Sequence, residues 1–81
     1  MSEGIERQVK QIASDVLDLP INRISIDTST ATVENWDSVM HLSFVLALEQ
    51  SFGIELEPQE IEQMRSVGAA IEIVRGKVGQ R

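Results

Sequence analysis

The sequence predicts an all-α fold: a small four-helix bundle of three longer helices and one short one, with a long first loop. Three observations predict it. Apolar residues recur at spacings of three and four, as in Ile5, Val9, Ile12 and Val16, which is the period of one helix face. Strand-like alternation never outlasts the pair Ile24 and Ile26. Helix punctuation stands where it is needed, with Asp37 before an apolar run, Gly53 after it, and Pro58 and Ser66 ahead of two more segments.

Taken in order, the first helix carries the stripe from Ile5 to Val16, and Asp18, Leu19 and Pro20 end it. From Pro20 to Trp36 the period is lost. Thr28, Ser29, Thr30 and Thr32 crowd together there, so the stretch reads as a loop pinned by Ile24 and Ile26. A structureless loop of this length is uncommon in a compact fold and is often functional. The second helix starts at Asp37 or Ser38, because an aspartate carboxylate accepts from the free N–H groups of a first turn. It stops at Phe52, with Gly53 supplying the left-handed residue beyond its end. Val39, Leu42, Phe44, Val45, Leu46 and Leu48 leave this helix no wide polar face, so part of it is expected to bind something. Pro58 opens a short helix carrying Ile61 and Met64. Ser66 caps the last helix, whose inward stripe is Val67, Ala70, Ile71 and Val74 and whose end is weakened by Gly76.

Eighty-one residues, 42% of them hydrophobic and 25% charged, suit one globular domain spanning residues 1–81. Cysteine is absent, which excludes disulfides and thiolate metal sites and fits a reducing, cytoplasmic setting. The opening residues lack the basic-then-apolar order of a secretory signal, and no apolar run approaches the roughly 20 residues of a membrane helix. The net charge of −6 is unevenly spread: from Ile24 to Met64 there are eight acids and no Lys or Arg. Such a field repels nucleic acid and anionic lipid, and it steers the chain toward basic protein surfaces.

The residues do not predict an enzyme. There is a single histidine (His41), no Cys or Tyr, and no glycine-rich phosphate loop. Ser38 and His41 are three apart on one helix, yet a nucleophile–base pair also needs an orienting group and an oxyanion site. No spacing of His, Asp and Glu suggests a metal. Ser38 stands out by context instead. It follows a long polar loop, so its hydroxyl is expected to be accessible, and it opens the helix built for contact. A phosphate ester there would meet unpaired N–H groups and the positive end of the helix dipole, while the Asp37 carboxylate would repel it.

Four segments read together carry a resemblance: DSV at 37–39, LALEQSFGIEL at 46–56, PQEIEQM at 58–64 and SVGAAIEIV at 66–74. Preceded by IERQVKQIASDVLDL, they resemble the acyl carrier proteins over nearly the whole chain, in order and with family-like spacing. The resemblance implies a non-catalytic carrier with an acyl-carrier-like fold. In that family a phosphopantetheinyl transferase moves 4′-phosphopantetheine from coenzyme A onto the matching serine, here Ser38. The arm's thiol then carries acyl groups as thioesters between enzymes, and a chain without Cys has to import such a thiol. Leu42, Leu48, Ala70 and Ile71 are the implied lining of an acyl pocket in the core.

Acyl-loading, condensing or acyltransferase enzymes are implied to dock with basic patches on Asp37, Met40, Ser43, Leu46, Glu49 and Gln50. Asp37 and Glu49 keep the family's acids, whereas Met40, Ser43 and Gln50 stand where acids are common. Met40 with Leu46 adds an adaptable apolar contact. The thinned acidity implies weaker steering toward partners that rely on several ion pairs and a dedicated pathway, fatty-acid-like, polyketide-like or another specialised one. A monomer suits such a shuttle. Trp36 resembles a WDS-type subset of discrete carriers, and loop packing is its simpler role. Two other readings share this fold: an aminoacyl carrier using the same Ser38, and an unmodified helical interaction module.

Overall fold

The structure, a computed structural model, describes residues 2–29, 33 and 36–79. Its helices are α1 (Ser2–Leu17), α2 (Ser38–Phe52), α3 (Pro58–Gln63) and α4 (Val67–Gly79), with a 3-10 turn at Ile21–Arg23. α1 packs against both α2 and α4, and α3 rests against α4. This is the four-helix arrangement expected, one helix much shorter than the rest.

The predicted stripe of α1 points inward: Val9 and Ile12 are buried, and Ile5 and Val16 pack half-buried against them. Ala13 and Leu17 widen it. The helix ends in a left-handed turn at Asp18, with φ 57°, a conformation that aspartate tolerates better than most residues. The Leu19 N–H then donates back to the Ser14 carbonyl at 3.1 Å, and the Ser14 hydroxyl donates to the Leu19 carbonyl.

In the following loop, Thr30, Thr32 and Glu34 lie outside the described residues. Ile24 is buried as expected, but Ile26 is not a side-chain pin, being 55% exposed. Its backbone does the pinning. The Ile26 carbonyl accepts from Gly68 N–H at 3.0 Å, and the Thr28 carbonyl accepts from Val67 N–H at 2.8 Å. These are the first orphan donors of α4. The next is met by Ser66, whose Oγ accepts from Ala69 N–H at 3.1 Å, while the Ser66 carbonyl accepts the first regular helical bond, from Ala70 N–H at 3.0 Å. The predicted cap at Ser66 therefore shares its work with a loop some 40 residues upstream. That loop fits closely, since a Cβ built on Gly68 would lie 2.9 Å from the Ile26 carbonyl oxygen.

α2 ends as the sequence implies. Gly53 is left-handed (φ 64°, ψ 41°), and its N–H donates to the Glu49 carbonyl. α3 has Pro58 at its start, and the Glu57 N–H donates to Glu60 Oε1 at 2.9 Å. Lys77 Nζ on α4 reaches the same oxygen at 2.9 Å, tying α3 to α4. The Glu57 N–H first, and Lys77 second, hold the Glu60 carboxyl below its usual range; the same carboxylate raises Lys77. Met64 is fully buried just past the end of α3. In α4 the stripe Val67, Ala70, Ile71 and Val74 is buried. Gly76 does not end this helix, which continues to Gly79; a Cβ at Gly76 would meet nothing within 4 Å.

Candidate functional site

The junction of the long loop with α2 brings Trp36, Asp37, Ser38 and His41 together. Asp37 is the N-cap: its Oδ1 accepts from the Met40 N–H at 3.0 Å. Ser38 is thereby relieved of capping. It is exposed as the first residue of α2, and its hydroxyl has no hydrogen-bond partner among the described residues. The usual structural use of a serine at this place is already filled by its neighbour.

Trp36 is buried with its ring edge-on to Phe44, centroids 5.5 Å apart and planes at 84°. Its Nε1–H donates to His41 Nδ1 at 3.1 Å, and His41 Nε2 lies 2.7 Å from the Ile61 carbonyl. An indole nitrogen only donates, so Nδ1 must be the acceptor and Nε2 must carry the proton given to Ile61. Both nitrogens of the imidazole are therefore committed, and none is left to serve Ser38 as a base. The arrangement ties the loop, α2 and the end of α3 into one wall.

That wall borders a cleft of about 380 Å³ lined by Trp36, Asp37, Ser38, His41, Ile61, Glu62 and Arg65. The volume is in the range that takes a small organic ligand. The Arg65 Nε–H donates to the Glu62 carbonyl at 3.1 Å, which fixes the guanidinium at the cleft's edge. Ile61, Glu62 and Arg65 were not singled out from the sequence. They lie more than 20 positions from Ser38, and the His41–Ile61 hydrogen bond is one of the contacts that bring them back to α2.

The other expected site residues divide. Leu42, assigned to the core, points outward and is 56% exposed, because the buried face of α2 is set by Phe44, Val45 and Leu48. Leu48, Ala70 and Ile71 are buried, but none of them lines the cleft at Ser38. On the docking side, Ser43 and Gln50 are exposed, and Leu46 is 56% exposed. Met40 is half-buried and packs on the core. Glu49 is half-buried too, its Oε2 accepting from the Leu56 N–H at 2.8 Å, so this acid braces the connector to α3. Sequence reasoning missed Val39 and Leu42 as members of the outward face. Their spacing with Leu46 puts the three on one face, opposite 44, 45 and 48, but the spacing alone does not say which of the two faces turns outward. The three form an apolar strip beside Ser38, Val39 being 71% exposed.

Among the described residues no cluster of His, Cys, Asp or Glu could hold a metal, and no helix is long and apolar enough to cross a membrane. The family model for the phosphopantetheine attachment site matches residues 7–74. Similar proteins include an acyl carrier protein of Thermosynechococcus vestitus, 31% identical over 95% of this chain and 94% of that one. An acyl carrier protein of Buchnera aphidicola is 29% identical over 93% and 94%. A polyketide-8 synthase acyl carrier protein 2 of Streptomyces avermitilis is 27% identical over 91% and 85%. In fold, the chain resembles the solution structure of a holo acyl carrier protein from Geobacter metallireducens. The TM-score is 0.82 at 23% identity, covering 93% of this chain and 86% of that one.

Proposed function

The chain belongs to the acyl carrier protein family, and on that premise we propose that Ser38 is the residue that bears its phosphopantetheine arm. One observation carries the assignment. Asp37 caps α2 and leaves the Ser38 hydroxyl exposed at the head of the helix, without a hydrogen-bond partner among the described residues and beside the cleft. The residues fit the group: a free hydroxyl for the ester, the N-terminal end of a 15-residue helix for its negative charge, and a cleft beside it.

Loading is a single displacement. The Ser38 oxygen bonds to the phosphorus of coenzyme A's pantetheine phosphate, the bond to adenosine 3′,5′-bisphosphate breaks, and the serine proton leaves to a base on the transferase. His41 cannot be that base, with both nitrogens engaged. The arm supplies the thiol that this chain lacks and that holds an acyl group as a thioester. The chain is thus a carrier rather than an enzyme, and enzymes of its pathway are its partners.

The partners are a phosphopantetheinyl transferase and acyl-loading, condensing or acyltransferase enzymes that dock beside Ser38. The docking face combines the apolar strip Val39, Leu42 and Leu46 with few free acids. That composition supports service to a dedicated set of enzymes, matched in shape and apolar surface, over general recruitment by charge.

The test of Ser38 is direct. Wild type and Ser38→Ala are incubated with coenzyme A and a broad-specificity phosphopantetheinyl transferase, and intact masses are compared. Wild type gains one phosphopantetheinyl group and the variant gains none. A wild type that stays unmodified beside a working control, or a variant that is still modified, overturns the assignment.

A further inference from the structure

A phosphodiester on Ser38 stands next to the Asp37 carboxylate, two anions at adjacent positions of one helix end. The helix dipole offsets part of that repulsion, but the same end already serves the capping carboxylate. No cation is available nearby in sequence, because Lys and Arg are absent from Ile24 to Met64. The first basic residue after that run is Arg65, and it lines the same cleft as Ser38. It is the cleft's single cation among the described residues.

Arg65 is placed to work. Its Nε–H is held by the Glu62 carbonyl at 3.1 Å, while its two Nη groups make no hydrogen bond or ion pair among the described residues. Lys10, Arg75 and Lys77, by contrast, are paired with Glu6, Glu72 and Glu60. A guanidinium anchored at Nε and free at both Nη nitrogens presents the planar fork that matches two oxygens of a phosphate. Glu62 on the cleft wall adds a further carboxylate. The ring nitrogens of Trp36 and His41, by contrast, are spent on each other and on Ile61, so the Trp36–His41 part of the wall presents ring carbons to the branched, apolar carbons that follow the phosphate in pantetheine.

We propose that Arg65 takes the phosphodiester of the arm on Ser38 and holds the first segment of that arm against the Trp36–His41 wall. The proposal rests on Ser38 being the attachment site. Arg65 is a positioning residue in this scheme: it sets the direction in which the arm leaves the helix, toward α3, and it releases the arm when a partner's basic residues take over the phosphate or when salt screens the pair.

The experiment loads wild type, Arg65→Gln and Arg65→Lys with unlabelled phosphopantetheine and establishes the arm by intact mass. The phosphodiester ³¹P resonance is then recorded at low and high salt. In wild type at low salt it stands apart from that of R65Q, and it moves onto the R65Q position as salt rises. R65K, with charge but no fork, lies between them. A second reading needs no variant: the Arg65 Nε–H and Nη–H resonances of the wild type shift between the apo and holo forms. Coincident ³¹P resonances with equal salt response in loaded wild type and R65Q overturn the proposal and leave Ser38 standing. So do Arg65 resonances that ignore the arm. A wild type that takes no arm overturns the Ser38 assignment itself, and this proposal with it.

Discussion

At the scale of single residues, adjacent side chains that look interchangeable in sequence have separate duties. Asp37 and Ser38 are both good helix-capping types, and either could have opened α2. The geometry gives the cap to Asp37, whose Oδ1 meets the Met40 N–H at 3.0 Å, and that choice frees the serine. Asp37→Ala is therefore expected to cost about 1 kcal/mol of stability, whereas Asp37→Asn, which retains an acceptor oxygen, costs far less. Urea unfolding followed by helical circular dichroism measures both. Equal losses in the two variants would mean that the carboxylate's charge, and not its hydrogen bond, is what α2 needs. His41 shows the same division of labour. Three positions from Ser38, it suggests a catalytic partner, yet both of its nitrogens hold Trp36 and Ile61 together.

At the scale of elements, two glycines of α4 carry opposite expectations. Gly68 sits where the loop carbonyl of Ile26 crosses the helix, and an added Cβ would lie 2.9 Å from that oxygen. Backbone must move to admit it, a strain of about 1–3 kcal/mol that outweighs alanine's helical advantage. Gly76 faces open space within the same helix, so its replacement by alanine gains about 0.5–1 kcal/mol. Thermal melts of Gly68→Ala and Gly76→Ala should thus move in opposite directions; a rise in both would deny the loop its close seat on α4. The helix boundaries were legible in the sequence because caps are local chemistry: Asp37, Gly53, Pro58 and Ser66 each act within a few residues of themselves. The seat of the loop on α4 was not, because its bonds run through the carbonyls of Ile26 and Thr28, and a backbone carbonyl leaves no mark in the side-chain pattern. Nor was the direction of Leu42. A helix apolar on every side does not say which side is inward, and that was decided by the packing of Phe44, Val45 and Leu48.

At the scale of the whole molecule, the chain is acidic overall, yet the outward face of α2 is largely apolar. The acids are partly spent on internal work: Glu49 braces Leu56 N–H, Glu60 clamps Lys77, and Asp37 caps α2. What remains outward on α2 is Val39, Leu42 and Leu46, with Ser43 and Gln50 among them. Restoring acids at the two exposed polar positions tests whether thin charge limits the choice of partner. Ser43→Glu with Gln50→Glu is expected to raise kcat/KM with fatty-acid enzymes that have basic docking patches, and the gain should fade at high salt. Met40 is left alone because it packs on the core. Unchanged kcat/KM would assign the selectivity to the apolar strip instead. The family was readable from order and spacing along the chain, and the proposed role of Ser38 rests on the same pattern, whereas the cleft was not, since it is assembled across the His41–Ile61 bond from residues far apart in sequence. That bond has an optical consequence. Trp36 is the chain's only tryptophan, and its indole N–H is bound to the imidazole that fastens α3. The protein's near-ultraviolet emission is therefore the emission of its own cleft wall, a built-in chromophore whose colour and yield depend on whether the imidazole or solvent water occupies its N–H.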